Sequence, residues 1–177
     1  MTAIPQIKLI VLDVDGVLTD GRLIIGSNGV EFKSFHVKDG MGISLARYCG
    51  LKVAIITGRQ SESVDIRCRE LNIDYVYQGI RNKEEVLNEI LISLGIHLTD
   101  VFYMGDDIND LPIIKKVGYS AAPNDSAEIV KQTVNLVCKS KGGMGAVREA
   151  IDHLLSQQVD YKNFLENYIR EKIGFIQ

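Results

Sequence analysis

At 177 residues, with 46% hydrophobic and 24% charged side chains, the chain is long enough to bury the core of one globular domain, and a single domain over 1–177 is expected. A formal net charge of −3 leaves no electrostatic footprint for nucleic acid or an anionic membrane surface. Cys49, Cys68 and Cys138 are widely spaced with no C-x-x-C pair, and no apolar run reaches signal-peptide or transmembrane length, so a soluble cytoplasmic protein with reduced thiols is expected.

The first element is the stretch Ile7 to Asp20, IKLIVLDVDGVLTD. Its apolar residues are continuous rather than alternating, the pattern of a parallel strand buried on both faces. It ends abruptly in Asp13 and Asp15, with Gly16 next to turn the backbone. Two carboxylates at the carboxyl end of such a strand lie where open α/β sheets bind ligands. Asn28-Gly29 between two β-prone runs then predicts a hairpin close enough to act as a flap. HVKDGMG reads as a polar loop, leading into a helix from about Ile43 to Tyr48 that Gly50 stops.

KVAII (52–56) is a second buried strand, ending in Thr57-Gly58-Arg59. Ser61 starts a helix with Val64, Cys68 and Leu71 on one face, and Tyr75 to Tyr77 is a third strand. Asn82 and Glu85 form a capping-box pattern that places Lys83 in a first helical turn. A cation there opposes the helix dipole, which points to an anion that it meets. Val101 to Met104 is a fourth strand and runs into Gly105-Asp106-Asp107-Ile108-Asn109-Asp110. Pro112 opens a helix, and outer strands at 118–121 and 134–137 flank a short helix at 126–131. A long amphipathic helix from Ala146 through Leu155 follows KSKGGMG, with a helical tail over about 156–177 beyond a core of about 7–155. Strands alternating with helices predict a doubly wound parallel α/β sheet.

If the strand ends converge, several carboxylates share one small volume. Two of them about 4 Å apart repel by about 4 kcal/mol at an effective dielectric near 20, so a cation is required. Hard oxygen donors, few in number, point to Mg²⁺ with a substrate phosphate. Neither acidic cluster fits a calcium loop, and KSKGGMG lacks the Gly-Lys-Ser/Thr of a P-loop. His36, His97 and His153 form no metal set.

In order, DVDGVLTD, ITGR, the lysine of RNKEEV and GDDIND resemble the four motifs of haloacid-dehalogenase-type phosphohydrolases, over roughly Ile7 to Ala150. Within that superfamily the chain resembles the 3-deoxy-D-manno-octulosonate 8-phosphate phosphatases, through the NG hairpin, HVKDGMG, AIITGR, RCREL, YQGIRNK and GGMGAVRE. The resemblance implies a capless, Rossmann-like fold with a hairpin flap, and a homotetramer serving lipopolysaccharide biosynthesis. It implies Asp13 as nucleophile and Asp15 as general acid and base, with Thr57 and Lys83 on the phosphoryl group. Mg²⁺ would be held by Asp13, Asp106 and the backbone carbonyl of Asp15. Asp107 and Asp110 support the site through water or by orienting Lys83, and Asp110 reads equally as a helix cap. Substrate contacts are expected from His36, Val37, Lys38, Asp39, Gly40, Arg59 and Arg67, of which Arg67 reads equally as a solvated helix arginine. Ser44 departs from the family, which often has a basic residue there. Phosphatases of nine-carbon keto-deoxy sugar acids share much of the pattern, although Arg59 favours the eight-carbon substrate. A non-catalytic oligomerisation module is the remaining alternative, opposed by four intact motifs. The final long helix reads as surplus to one small core and is expected to pack on another subunit, with hairpin and tail together closing each site.

Overall fold

In the computed structural model, which describes residues 4–173, the opening apolar run forms strand β1 (Leu9–Leu12), fully buried on both faces. The chain then makes the antiparallel hairpin β2 (Ile24–Ile25) and β3 (Glu31–Phe32), with Ile25 opposite Glu31 and Gly29 at φ +81°. Next come α1 (Val37–Tyr48), β4 (Lys52–Ile56), α2 (Glu62–Glu70) and β5 (Tyr75–Tyr77). They are followed by α3 (Lys83–Leu94), β6 (Val101–Met104), α4 (Leu111–Ile114) and β7 (Tyr119–Ala122). The chain ends in α5 (Glu128–Lys131), β8 (Leu136–Val137), α6 (Ala146–Gln158) and α7 (Tyr161–Tyr168).

Six strands join in one parallel sheet of order β5-β4-β1-β6-β7-β8. The order reverses direction at β1, since the chain fills one side through β4 and β5 and only then crosses to β6. That switch point opens a crevice at the carboxyl ends of β1, β4 and β6. Successive residues of β1 feed opposite cores. Ile10 and Leu12 pack with Ile43, Val64 and Ile151 on one face, and Leu9 and Val11 with Leu87, Ile90 and Ile113 on the other. No helix among the described residues is long and apolar enough to cross a membrane. Burial raises the thiols of Cys68 and Cys138 to about 11 and about 12, so both are protonated packing groups.

Two expectations are corrected. HVKDGMG is not a loop, because α1 begins at Val37, six residues before the expected start. Its glycines serve close packing rather than a turn: a Cβ at Gly42 would lie 3.1 Å from Cα of Arg148 in α6, and one at Gly40 2.4 Å from the Arg67 guanidinium. The helix beginning at Ala146 is not surplus. Ala146, Val147, Ala150, Ile151, Leu154 and Leu155 are buried in the chain's own core, where α6 lies along α1. Tyr161, Phe164, Leu165 and Tyr168 of α7 pack on the same core, with Tyr48 against Phe164 and Tyr168.

Candidate active site

Register brings the strand ends together. Leu12 pairs with Ile55 on one side and Met104 on the other, and the Asp13 amide donates to the Met104 carbonyl at 3.0 Å. Asp13, Thr57 and Gly105-Asp106 therefore leave the sheet at one level, and Asp13 and Thr57 are buried. The Asp13 carboxylate accepts from the Val14 amide at 2.7 Å through Oδ1 and meets Lys83 Nζ at 2.8 Å through Oδ2. Lys83 is delivered from the first turn of α3, where Asn82 Oδ1 accepts from the Glu85 amide at 3.4 Å.

Asp110 is the hub of the constellation. It is fully buried and accepts from Lys83 Nζ (2.8 Å), Tyr103 Oη (2.6 Å) and the Asp106 amide (3.0 Å), with the Asp107 amide at 3.4 Å. This four-donor set orients the lysine and folds the acidic turn; Asp110 also occupies the N-cap position of α4, but its side chain makes no cap bond to that helix. Asp107 accepts from the Ile108 amide at 2.8 Å and faces solvent. Burial raises the Asp13 and Asp106 carboxyls, and nearby carboxylates add to it; Asp106 reaches about 7. Burial pulls the Lys83 ammonium down, but Asp13 and Asp110 outweigh it, and the lysine lies above its ordinary value.

Carboxylate oxygens of Asp13, Asp106 and Asp110 lie within 4.8 Å of one another, against the single ammonium of Lys83. Each carboxylate pair at that spacing costs about 3 to 4 kcal/mol at an effective dielectric near 20. The donors are all hard oxygens, a set that fits Mg²⁺. Each Asp110 oxygen already takes two protein donors and each Asp13 oxygen one, so Asp13 and Asp106 are the acids of this set with lone pairs that could hold a metal. Gly16 keeps the space: at φ +84° it takes a left-handed turn, and a Cβ there would lie 2.0 Å from Asp106 Oδ2.

Asp13, Asp15, Thr57, Arg59, Asp106 and Asp107 line one cleft of about 280 Å³. Asp15 turns to the hairpin, where it is ion-paired with Lys33 and lies 4.0 Å from Arg59 Nε. The other expected substrate contacts stand apart from this cleft. Val37 and Lys38 are exposed, and His36 is the N-cap of α1 beside Gly145. Asp39 is buried and accepts from the Arg148 amide (2.8 Å) and the Gly145 amide (3.3 Å), holding the start of α6. Arg67, on α2, pairs with Glu70 at 3.0 Å and is half-buried against Gly40. Ser44 donates back to the Gly40 carbonyl at 3.1 Å within α1. Lys139 and Lys141 are exposed and absent from the cleft lining.

Sequence reasoning passed over Lys33, Glu31, Tyr103 and Asn109. Glu31 and Lys33 carried a usable signal, since the period of two in a strand puts both on one face of the hairpin. Tyr103 carried none, being one more apolar residue of a buried strand.

A parallel sheet that switches at β1, with this strand-end set, defines a haloacid dehalogenase-like hydrolase, and the model of that family matches residues 73–151. The chain is 44% identical over 158 residues to 3-deoxy-D-manno-octulosonate 8-phosphate phosphatase of Salmonella typhi, covering 89% of this chain and 84% of that enzyme. It superposes with a TM-score of 0.88, at 37% identity, on the Moraxella catarrhalis phosphatase of that name in complex with magnesium, phosphate and KDO, covering 92% and 93% of the two chains. A cobalt-bound Haemophilus influenzae counterpart matches with a TM-score of 0.83 at 38% identity, covering 86% and 90%. The chain belongs to the 3-deoxy-D-manno-octulosonate 8-phosphate phosphatase family.

Proposed function

We propose that the protein is a magnesium-dependent phosphomonoesterase that hydrolyses 3-deoxy-D-manno-octulosonate 8-phosphate to the free sugar acid and phosphate, a step serving lipopolysaccharide biosynthesis. The observation that carries the chemistry is the buried Asp13–Lys83–Asp110 chain beside Asp106 at the sheet's switch point. Asp13 attacks phosphorus as the bond to the sugar oxygen breaks, giving an aspartyl-phosphate. Asp15 donates its proton to the leaving alkoxide, then takes one from the water that attacks the aspartyl-phosphate, which regenerates Asp13. Lys83, the Thr57 hydroxyl and nearby backbone amides meet the charge of the transferring phosphoryl group. Asp13, Asp106 and the backbone carbonyl of Asp15 would hold magnesium, which would neutralise more of that charge.

Arg59, in the cleft, recognises the sugar acid; in one subunit His36 to Gly40 and Arg67 lie away from it. An exposed apolar hairpin, with Ile24, Ile25 and Phe32 more than half exposed, supports a homotetramer in which this flap meets a neighbouring subunit, and three free cysteines support a cytoplasmic location. The test is phosphate release from eight- and nine-carbon keto-deoxy sugar acid phosphates with Mg²⁺. Preference for the eight-carbon substrate supports the reading; preference for the nine-carbon one reassigns the sugar. No release from either overturns the reading.

A further inference from the structure

Asp110 divides its two oxygens between two tasks. Oδ2 holds the acidic turn, accepting from the Asp106 amide at 3.0 Å and the Asp107 amide at 3.4 Å. Oδ1 is left to the Tyr103 hydroxyl at 2.6 Å and to Lys83 Nζ at 2.8 Å. The core does not require that hydroxyl. Tyr103 stands opposite Val11 in the sheet, fully buried, with its ring packed among Leu87, Ile90 and Ile113. Such a place asks for apolar bulk, which the neighbouring Phe102 supplies to the opposite core without an oxygen. A buried phenol is kept where its O–H finds a partner, and here the partner is the acid that meets Lys83.

We infer that Tyr103 is a positioning residue for phosphoryl transfer: by filling one lone pair of Asp110 Oδ1, its hydroxyl reserves the third N–H of Lys83 for the transferring group. The inference rests on the function proposed above for the role of Lys83. An ammonium carries three N–H donors. Two are committed, to Asp110 Oδ1 and to Asp13 Oδ2, each at 2.8 Å. The third is aimed only as well as Nζ is placed between those acids. A carboxylate oxygen offers two lone pairs, and the hydroxyl takes the one that the ammonium does not. Without it a buried, charged oxygen would be left with a vacant lone pair, and the mobile donor within reach is Lys83 itself. Nζ would shift round Oδ1, away from Asp13 and from the phosphoryl group. Strand β6 and the packed ring hold the hydroxyl where it prevents this.

The test is Tyr103→Phe, which removes the hydroxyl and keeps the ring. With p-nitrophenyl phosphate and Mg²⁺, kcat should fall by about threefold to thirtyfold, while KM and the Mg²⁺ requirement stay within about twofold. Calorimetry reads the same effect without turnover. Orthovanadate, which mimics five-coordinate phosphorus, should bind with Mg²⁺ about threefold to thirtyfold more weakly, and orthophosphate less than about twofold more weakly. A tyrosine that only fills the core would lower the melting temperature and leave these ratios alone. An unchanged kcat, equal losses for the two anions, or a raised Mg²⁺ requirement overturns the role. Tyr103→Met, also apolar and without a hydroxyl, repeats the test if Tyr103→Phe does not fold. If the wild type hydrolyses no phosphate ester, the function reading falls. The two anions then decide the role of Tyr103 alone, and equal vanadate affinity with and without the hydroxyl overturns it.

Discussion

Removing the metal should make the protein less stable at alkaline pH, and the size of the effect follows from Asp106. An unfolded chain releases that proton near 3.8, whereas the folded site holds it to about 7, through burial and the neighbouring Asp13, Asp110 and Asp107. Between those values the folded state binds more protons than the unfolded state, so stability falls as pH rises and the loss is complete above about 7. The gap corresponds to at most about 4 kcal/mol, and partial solvation brings it to about 2 to 3. For a chain of this length that is about 5 to 10 °C in melting temperature.

The acids whose affinity is lowered, Glu31, Asp74, Asp100, Glu128 and Glu149, act with the opposite sign. Their stabilisation is present above their unfolded values and lost as pH falls through the lower folded ones, below a window of pH 5 to 8. The assay is thermal melting at pH 5 and pH 8, in chelator and in saturating Mg²⁺. The metal-free protein should melt higher at pH 5, and Mg²⁺ should raise the pH 8 value more than the pH 5 value. Asp13 and Asp39 are also raised by burial, so Asp106→Asn is the control and should flatten the metal-free difference by the Asp106 share. A metal-free melting temperature that rises from pH 5 to pH 8, or equal Mg²⁺ increments at both, would refute the reasoning.

Asp13→Asn should abolish turnover. Asp15→Asn should slow the sugar phosphate by about 10² to 10⁴-fold, with mass spectrometry finding phosphate trapped on Asp13 when the leaving group is good. Asp110→Asn turns an NH₂ group toward either Lys83 and Tyr103 or the Asp106 and Asp107 amides; urea unfolding should show a loss of about 1 to 3 kcal/mol, and kinetics a fall in kcat larger than any change in KM. Gly142→Val puts a Cβ 1.9 Å from the Gly16 carbonyl oxygen and should lower both melting temperature and kcat, whereas Lys141→Ala on the exposed side should leave both within error.

What was legible in the sequence is what short-range physics encodes. The β1 run, the Asn28-Gly29 hairpin and the Asn82 cap each announce themselves within a few residues, and each is where it was expected. The strand-end acids were legible because a parallel sheet puts its sites at one edge. HVKDGMG misled because glycine reads as a turn when its surroundings are unknown, and here the surroundings are Arg67 and the backbone of α6, distant in sequence. Asp39, expected among the substrate contacts through the resemblance, has as its partners in this chain the amides of Gly145 and Arg148, which no local pattern announces. The same limit hid the Asp15–Lys33 pair, because which strand end a hairpin face covers is a tertiary fact.

The segment after β8 shows what those distant contacts do for the chemistry. Gly142 donates to Asp125 at 2.9 Å, and Gly143 donates to the Val17 carbonyl at 3.0 Å, just beyond Asp13 and Asp15. Cβ atoms at Gly142 and Gly143 would strike the backbone of Gly16, Thr19 and Asp20. The glycines thus admit a backbone against the turn that carries both acids, and Asp39 fixes the far end of the same segment at Gly145. A turn with two ionisable groups and a left-handed glycine has few contacts of its own to hold it. Bracing it from the start of α6, a buried helix, holds Asp15 in place with Gly16 against Asp106. On the other side of Asp15 stands the hairpin, whose apolar face is exposed and whose polar face carries Lys33 and Glu31. The turn that carries both acids is thus held from two sides, by the backbone packing of Gly142 and Gly143 and by the ion pair of Asp15 with Lys33.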